Sequence, residues 1–290
     1  MCEPAQLSEF AASRGLSRRQ FAVAGAAVGL AACSSMGEAG TGASGLTEAM
    51  VSIPTQDGTM DAFFVHPAGK RSAGVIVWPD IASLRPAFEA MARRLAGEGY
   101  AVLVANPYYR DTKAPQFADF AAFMADGGFA KVTPWRNRLV AGAVGRDATA
   151  MVAWLDGQTA VDPAKGIGTQ GYCMGGPFTV WSAAAVAARI RAAASFHGGG
   201  LVRDGADSPH AMLKDAQAAF LFAIAQNDDA KQPEAKDELR KAADAAGRQA
   251  EIEVYPADHG WCVPDSPVYD QTQAERAWAR LLALYKAALA

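Results

Sequence analysis

A thiol, a carboxylate and an imidazole occur along this chain in an order that suits nucleophilic acyl chemistry. The thiol is Cys173, within Gly171-Tyr172-Cys173-Met174-Gly175-Gly176. Ahead of it, Gly166 to Gln170 reads as a short strand. Behind it, Thr179-Val180-Trp181 and the alanine run Ala183 to Ala188 read as a helix. Strand, sharp turn and helix with a nucleophile at the apex is the geometry of a nucleophile elbow. Glycines two residues to either side leave room for the crowded backbone of such a turn. A helix opening at Met174 aims free N–H groups and its positive dipole end at the sulfur, which favours the thiolate. The plainer alternative is a small buried cysteine at a tight strand–helix connection, and the paired glycines weigh against it.

A thiol nucleophile needs a base, an orienting acid and donors for the oxyanion. Of four histidines, His259 in Pro256-Ala257-Asp258-His259-Gly260-Trp261 follows a strand ending at Tyr255 and precedes the last helix. It is the expected base. His197, in Phe196-His197-Gly198-Gly199-Gly200, also follows a strand and is the second candidate to line the site. His66 reads as structural and His210 lies in a polar loop. The acid should follow the strand between thiol and base. That strand ends at Ala225, and Gln226-Asn227-Asp228-Asp229 comes next. Asp228 is the expected acid, with Asp229 the alternative if the strand runs one residue longer. In such a triad the imidazole shuttles the proton while the carboxylate holds its tautomer. The oxyanion donors are expected from the backbone of Met174 and of Ile81, in Pro79-Asp80-Ile81. No His/Cys cluster has metal-ligand spacing, so neither metal nor organic cofactor is expected.

The elements that must hold these residues alternate along the chain. Met50–Pro54 and Thr59–Val65 read as a hairpin around Gln56-Asp57-Gly58. Gly74 to Trp78 and Ala101 to Val104 are apolar runs of the kind buried on both faces of a sheet. Phe88, Met91, Ala92 and Leu95 recur at helical spacing before Gly99. Arg138 to Asp156 is amphipathic, with Val140, Val144, Ala148, Met151 and Leu155 on one face. Ala192–Phe196, Ala218–Ala225 and Glu251–Tyr255 read as later strands. Pro233 opens a helix that Gly247 closes, and Trp278, Leu281, Leu282, Tyr285 and Leu289 line the closing helix. This is a mostly parallel α/β sheet with helices on both faces, whose ligands sit at the C-terminal strand ends. Residues 110–135, with Phe117, Phe120, Phe123, Met124 and Phe129, are expected to form a short helical insertion that roofs the site as a lid.

The N-terminal residues read as an address. Ser17-Arg18-Arg19-Gln20-Phe21 is a twin-arginine pattern, followed by a charge-free apolar run, Ala22 to Ala32, that is too short to span a membrane comfortably. Export by the Tat route, to the periplasm or to a membrane anchor, is the expectation. Leu30-Ala31-Ala32-Cys33 resembles a lipobox, which makes Cys33 the expected lipidation site. The domain plan is therefore a signal over 1–33, a flexible tether over 34–48 and one domain over 49–290. Net charge is −3, which argues for no nucleic-acid partner. A monomer is the default for a single domain of this size. Of the four cysteines, Cys173 and Cys262 remain in the body. Cys262 follows the expected base by three residues and reads as a small buried thiol, with a Cys173–Cys262 disulfide as the sharper alternative.

The Gly-Tyr-Cys-Met-Gly-Gly elbow, the Asp after a late strand and the His-Gly before the last helix resemble the dienelactone hydrolase (carboxymethylenebutenolidase) family over roughly residues 50–290. The resemblance implies an α/β-hydrolase fold and a Cys173–Asp228–His259 triad cleaving a carboxylic ester or lactone through an acyl-thioester. It also implies that Asp80 stands where the family has a thiol-contacting Glu, and that Arg110 contacts a substrate carboxylate. A second carboxylate-binding arginine is expected four residues past the histidine, where this chain has Val263. The competing expectation is an exported ligand-binding protein of the same fold without turnover. A thiol-redox protein is weaker still, since Cys173 and Cys262 are nothing like a Cys-x-x-Cys pair.

Overall fold

The computed structural model describes residues 40–41 and 45–290. The twin-arginine segment, Cys33 and most of the expected tether lie outside the described residues. The hairpin is formed by β2 (Leu46–Thr55) and β3 (Gly58–Pro67), with Thr55 opposite Gly58. A two-residue strand, β1 (Gly40–Thr41), pairs antiparallel with β2. The sheet thus begins inside residues 34–48, and β2 opens three residues before the expected domain start.

Six further strands are β4 (Gly74–Trp78), β5 (Ala101–Ala105), β6 (Ile167–Tyr172), β7 (Ile190–Phe196), β8 (Ala219–Ala225) and β9 (Ala250–Tyr255). They complete one nine-stranded sheet in the order β1-β2-β3-β5-β4-β6-β7-β8-β9. From β5 onward every pairing in that order is parallel. β4 and β5 are buried at every position, which is why their sequences are unbroken apolar runs.

The helices divide between the two faces. Val75, Val77, Val102 and Val104 pack in one layer with α1 (Pro86–Gly97) and α9 (Gln271–Ala288). The alternate residues Ile76, Trp78 and Leu103 pack in the other, with α4 (Ala141–Asp156), α5 (Gly176–Ala185) and α8 (Ala235–Ala246). The period-2 geometry of a strand sends neighbours to opposite faces, so a continuous apolar run serves both layers. The stretch expected as an insertion holds α2 (Phe120–Ala125) and α3 (Gly128–Arg136). Phe117, Phe120 and Phe129 gather round the fully buried Phe123, with ring centroids 4.8–5.4 Å from it.

From β4 the chain crosses to β5 on one side and later returns to lay β6 against the other side of β4. The loops leaving the C-terminal ends of β4 and β6 therefore diverge, and such a switch point is where an open α/β sheet leaves a crevice.

Candidate active site

Cys173 stands in that crevice, directly after β6. Its φ of +52° lies in the left-handed region, a conformation costing a non-glycine residue about 1–3 kcal/mol. The neighbours leave the turn no slack. A Cβ on Gly171 would fall 2.0 Å from the Gly175 carbonyl oxygen, and one on Gly175 would fall 2.4 Å from the Trp78 oxygen at the end of β4. Both glycines are required by close approach, as their spacing about Cys173 suggested. One local expectation is corrected. Residues Cys173–Gly175 form a single 3₁₀ turn, and the α-helix proper begins at Gly176, not Met174. Pro177 sits in the helix's first turn, where its missing N–H costs nothing.

His259 and Asp228 come together because β8 and β9 are adjacent and parallel, with Ala225 opposite Tyr255. Asp228 lies in α7 (Gln226–Lys231), directly after β8, and His259 lies just beyond β9. His259 Nδ1 is 2.5 Å from Asp228 Oδ2, and the His259 backbone N–H donates to Asn227 Oδ1 at 2.9 Å. Asp229 is held instead by Lys236 at 2.7 Å. His66 bonds to the Pro67 carbonyl oxygen and His210 to Ser208 Oγ, so neither imidazole belongs to this pair.

Two adjoining cavities open here. One, of about 450 Å³, is lined by Cys173, Met174, Phe178 and Trp181, with Arg136, Arg203 and Gln232 at its polar side. The other, of about 120 Å³, is lined by Asp228 and His259. The loop after β7 (Gly199, Gly200, Val202) and Gln232 border both. Arg136, the last residue of α3 and one past the expected insertion, lines the larger cavity.

The loop after β4 is built by Asp80. Its Oδ1 accepts the Ala82 N–H at 2.9 Å while its carbonyl accepts the Ser83 N–H at 2.9 Å, an Asx-type turn. Ile81 lies inside this turn, and its own N–H has no backbone acceptor among the described residues. Asp80 also binds Arg85 bidentately at 2.7 and 2.9 Å. Arg85, fully buried, grips Asp265 at 2.8 Å through two further bonds. Burial alone would favour a neutral guanidine, but attraction to Asp80 and the bonds from both carboxylates push its pKa above the ordinary value. The Asp80 carboxylate thus serves both the turn and Arg85.

Arg110 is also engaged by carboxylates. Its guanidinium binds Asp147 at 2.7 and 2.9 Å and Asp57 at 2.7 Å, and it lies over the Tyr109 ring. It does not line either cavity. The two carboxylates, one on the hairpin turn and one on α4, bind it from two elements. Val263 is buried in the apolar layer with α1 and α9. Arg110 is thus paired within the protein, and the position of the second implied arginine holds a valine.

Cys262 and Cys173 are both buried, and they are not joined by a disulfide. They pack in different layers, Cys262 with α1 and α9 and Cys173 with α4 and α5. Burial pushes the Cys262 thiol well up from its usual range.

His197, the second candidate to line the site, packs directly against His259. Its ring meets His259 edge to face at 4.8 Å and Trp261 at 5.2 Å. The residue is 1% exposed with φ +42°. Burial, and secondarily His259, lower its pKa well below the ordinary 6.5. The unfolded chain therefore takes up a proton that folded His197 refuses. Stability is fully present above pH 6.5 and is lost as the pH falls below it, by up to about 1.4 kcal/mol per pH unit for this one group. Urea titrations between about pH 5 and 7 should show a shallower acid loss for His197→Phe than for wild type. Equal slopes would mean that His197 is protonated in the folded state.

The sequence carried weak signals for these additions. A histidine after a parallel strand marks His197, whereas nothing local separates the buried Arg85 from a surface arginine.

Residues 60–289 match the profile of the Dienelactone hydrolase family. A provisionally named carboxymethylenebutenolidase of Escherichia coli (strain K12) is 30% identical over 243 residues, covering 81% of this chain and 85% of that protein. A relative of the same provisional name from Methylorubrum extorquens is 28% identical over 287 residues, covering 96% of this chain and 95% of its own. Among solved structures, a provisionally named dienelactone hydrolase from Klebsiella pneumoniae superposes with a TM-score of 0.71 at 26% identity, covering 83% of this chain and 98% of that one. With an α/β-hydrolase sheet, an elbow at its switch point and a family match across most of its length, the chain belongs to the dienelactone hydrolase family of hydrolases.

Proposed function

We propose that the protein hydrolyses a carboxylic ester or lactone through Cys173, His259 and Asp228. His259 Nε2 takes the Cys173 proton, and the thiolate attacks the substrate carbonyl to give a tetrahedral intermediate. The N–H groups of Met174 and Ile81 receive its oxyanion. Collapse forms the acyl-thioester, and the proton passes from His259 to the leaving alkoxide. Water, deprotonated by His259, then attacks the thioester and releases the acid and the thiol. Asp228 holds the Nδ1–H and stabilises the imidazolium formed in each half-reaction.

The observation that carries this reading is the pairing of a strained cysteine at the end of β6 with a His259–Asp228 bond of 2.5 Å at the ends of β9 and β8. Because Arg110 is sealed by Asp57 and Asp147, the reading does not extend to the carboxylate-bearing dienelactone itself. The test is rapid acid quench of the enzyme with a p-nitrophenyl ester, followed by intact-mass and peptide analysis. An acyl group on Cys173 is expected during turnover. Turnover with the acyl group on another residue, or with none trapped and no burst of nitrophenolate, would sink the proposal.

A further inference from the structure

Between the two halves of the expected oxyanion hole lies a side chain that the mechanism has not used. Tyr108 follows β5 and is 1% exposed. Its hydroxyl donates to the Ile81 carbonyl oxygen at 2.9 Å and lies 3.3 Å from Met174 Sδ. One phenolic hydroxyl thus touches both residues whose N–H groups face the reacting oxygen in the mechanism above.

The contact with Ile81 closes a clamp. The peptide unit joining Ile81 to Ala82 is held at its N–H by Asp80 Oδ1 and at its C=O by Tyr108. A peptide unit is planar and rigid, so these two bonds fix its orientation, while the preceding unit, which carries the Ile81 N–H, is held through the Asp80 carbonyl by the Ser83 N–H at 2.9 Å. Tyr108 is itself anchored. Its backbone N–H donates to Asn106 Oδ1 at 3.0 Å, and the same oxygen accepts Ser83 Oγ from the loop after β4. Ser83, with φ +68°, is held in the left-handed region. On the outer side the Tyr108 ring lies 5.5 Å from Trp135 of α3. An oxyanion hole made of backbone donors on two separate loops works only if their directions are set before the substrate arrives.

We infer that Tyr108 is the positioning residue of the oxyanion hole, its hydroxyl holding the Ile81 backbone in place while it packs against the Met174 side chain. The inference rests on the hydrolase reading above. Tyr108→Phe keeps the ring against Trp135 and removes only the hydroxyl. It is expected to lower kcat by about 10- to 100-fold, less than the loss of a direct oxyanion donor, with KM nearly unchanged. The Ki of a trifluoromethyl ketone, which mimics the tetrahedral state, should rise by the same factor, while the pH profile stays in place. Hydrogen exchange of the Ile81 amide should quicken in the variant. A variant with unchanged kcat and unchanged ketone affinity would overturn the inference, as would a loss of kcat with neither ketone weakening nor faster Ile81 exchange. A wild-type enzyme lacking Cys173-dependent turnover would count against the hydrolase reading alone; Ile81 exchange would then decide the clamp, in favour if it quickens and against if it does not.

Discussion

Cys173→Ala should remove ester turnover almost entirely, lowering kcat by about 10⁴-fold or more, because every later step passes through the thioester that alanine cannot form. The thermal midpoint should scarcely move. The side chain is small, and the features that force the turn are Gly171 and Gly175 against the backbone of the turn and of β4, which the substitution leaves alone. Adding Asp228→Asn to Cys173→Ala should cost little more in kcat, since residues that act as one unit are far from additive. The measurement is steady-state hydrolysis of a p-nitrophenyl ester panel and an enol-lactone, with reductant present. Residual activity within 10-fold of wild type would assign the nucleophile elsewhere. Folded protein with no turnover in wild type on any substrate would favour a ligand-binding protein of the same fold.

Arg85→Met should be the most destabilising single change near the site. The arginine sits between Asp80 and Asp265, and none of its side chain reaches solvent. Removing it leaves two carboxylates facing each other with no cation, which for a buried ion pair costs about 3–5 kcal/mol. For a domain of this size that corresponds to a fall of about 6–20 °C in thermal midpoint. The loss should also reach function. Asp80 shapes the turn that carries Ile81, and Asp265 accepts the Phe120 N–H at the start of α2. Arg85→Lys should be intermediate, since an ammonium cannot bind two carboxylates bidentately as a guanidinium does. Differential scanning calorimetry of the three proteins decides the matter. A loss under about 1 kcal/mol in Arg85→Met would mean that the ion network does not hold the loop.

Fold and candidate site were legible in the sequence to different depths. The strand–elbow–helix succession, the apolar runs of β4 and β5, and the helical spacing of Phe88, Ala92 and Leu95 are local patterns imposed by the periods of strand and helix. The placement of Cys173, Asp228 and His259 just after strands was legible because parallel strands bring their following loops to one edge of the sheet. The glycines flanking Cys173 were readable as close-packing residues for the same reason.

The sequence by itself therefore determined the class of sheet, the order of thiol, carboxylate and imidazole along the chain, and which residue stands at the elbow. An export address from the twin arginines to Cys33 is an expectation from the sequence alone, on residues outside those described. Only the tertiary structure decided what the charged residues do. Asp80 became the cap of a turn and the partner of Arg85, Arg110 was sealed by Asp57 and Asp147, and Asp228 rather than Asp229 met His259. Hydrophobic periodicity repeats within a few residues and survives in a one-dimensional string. An ion pair such as Arg85–Asp265 joins positions 180 residues apart. It leaves no local trace, because a guanidinium in water and one buried between two carboxylates are spelled with the same letter.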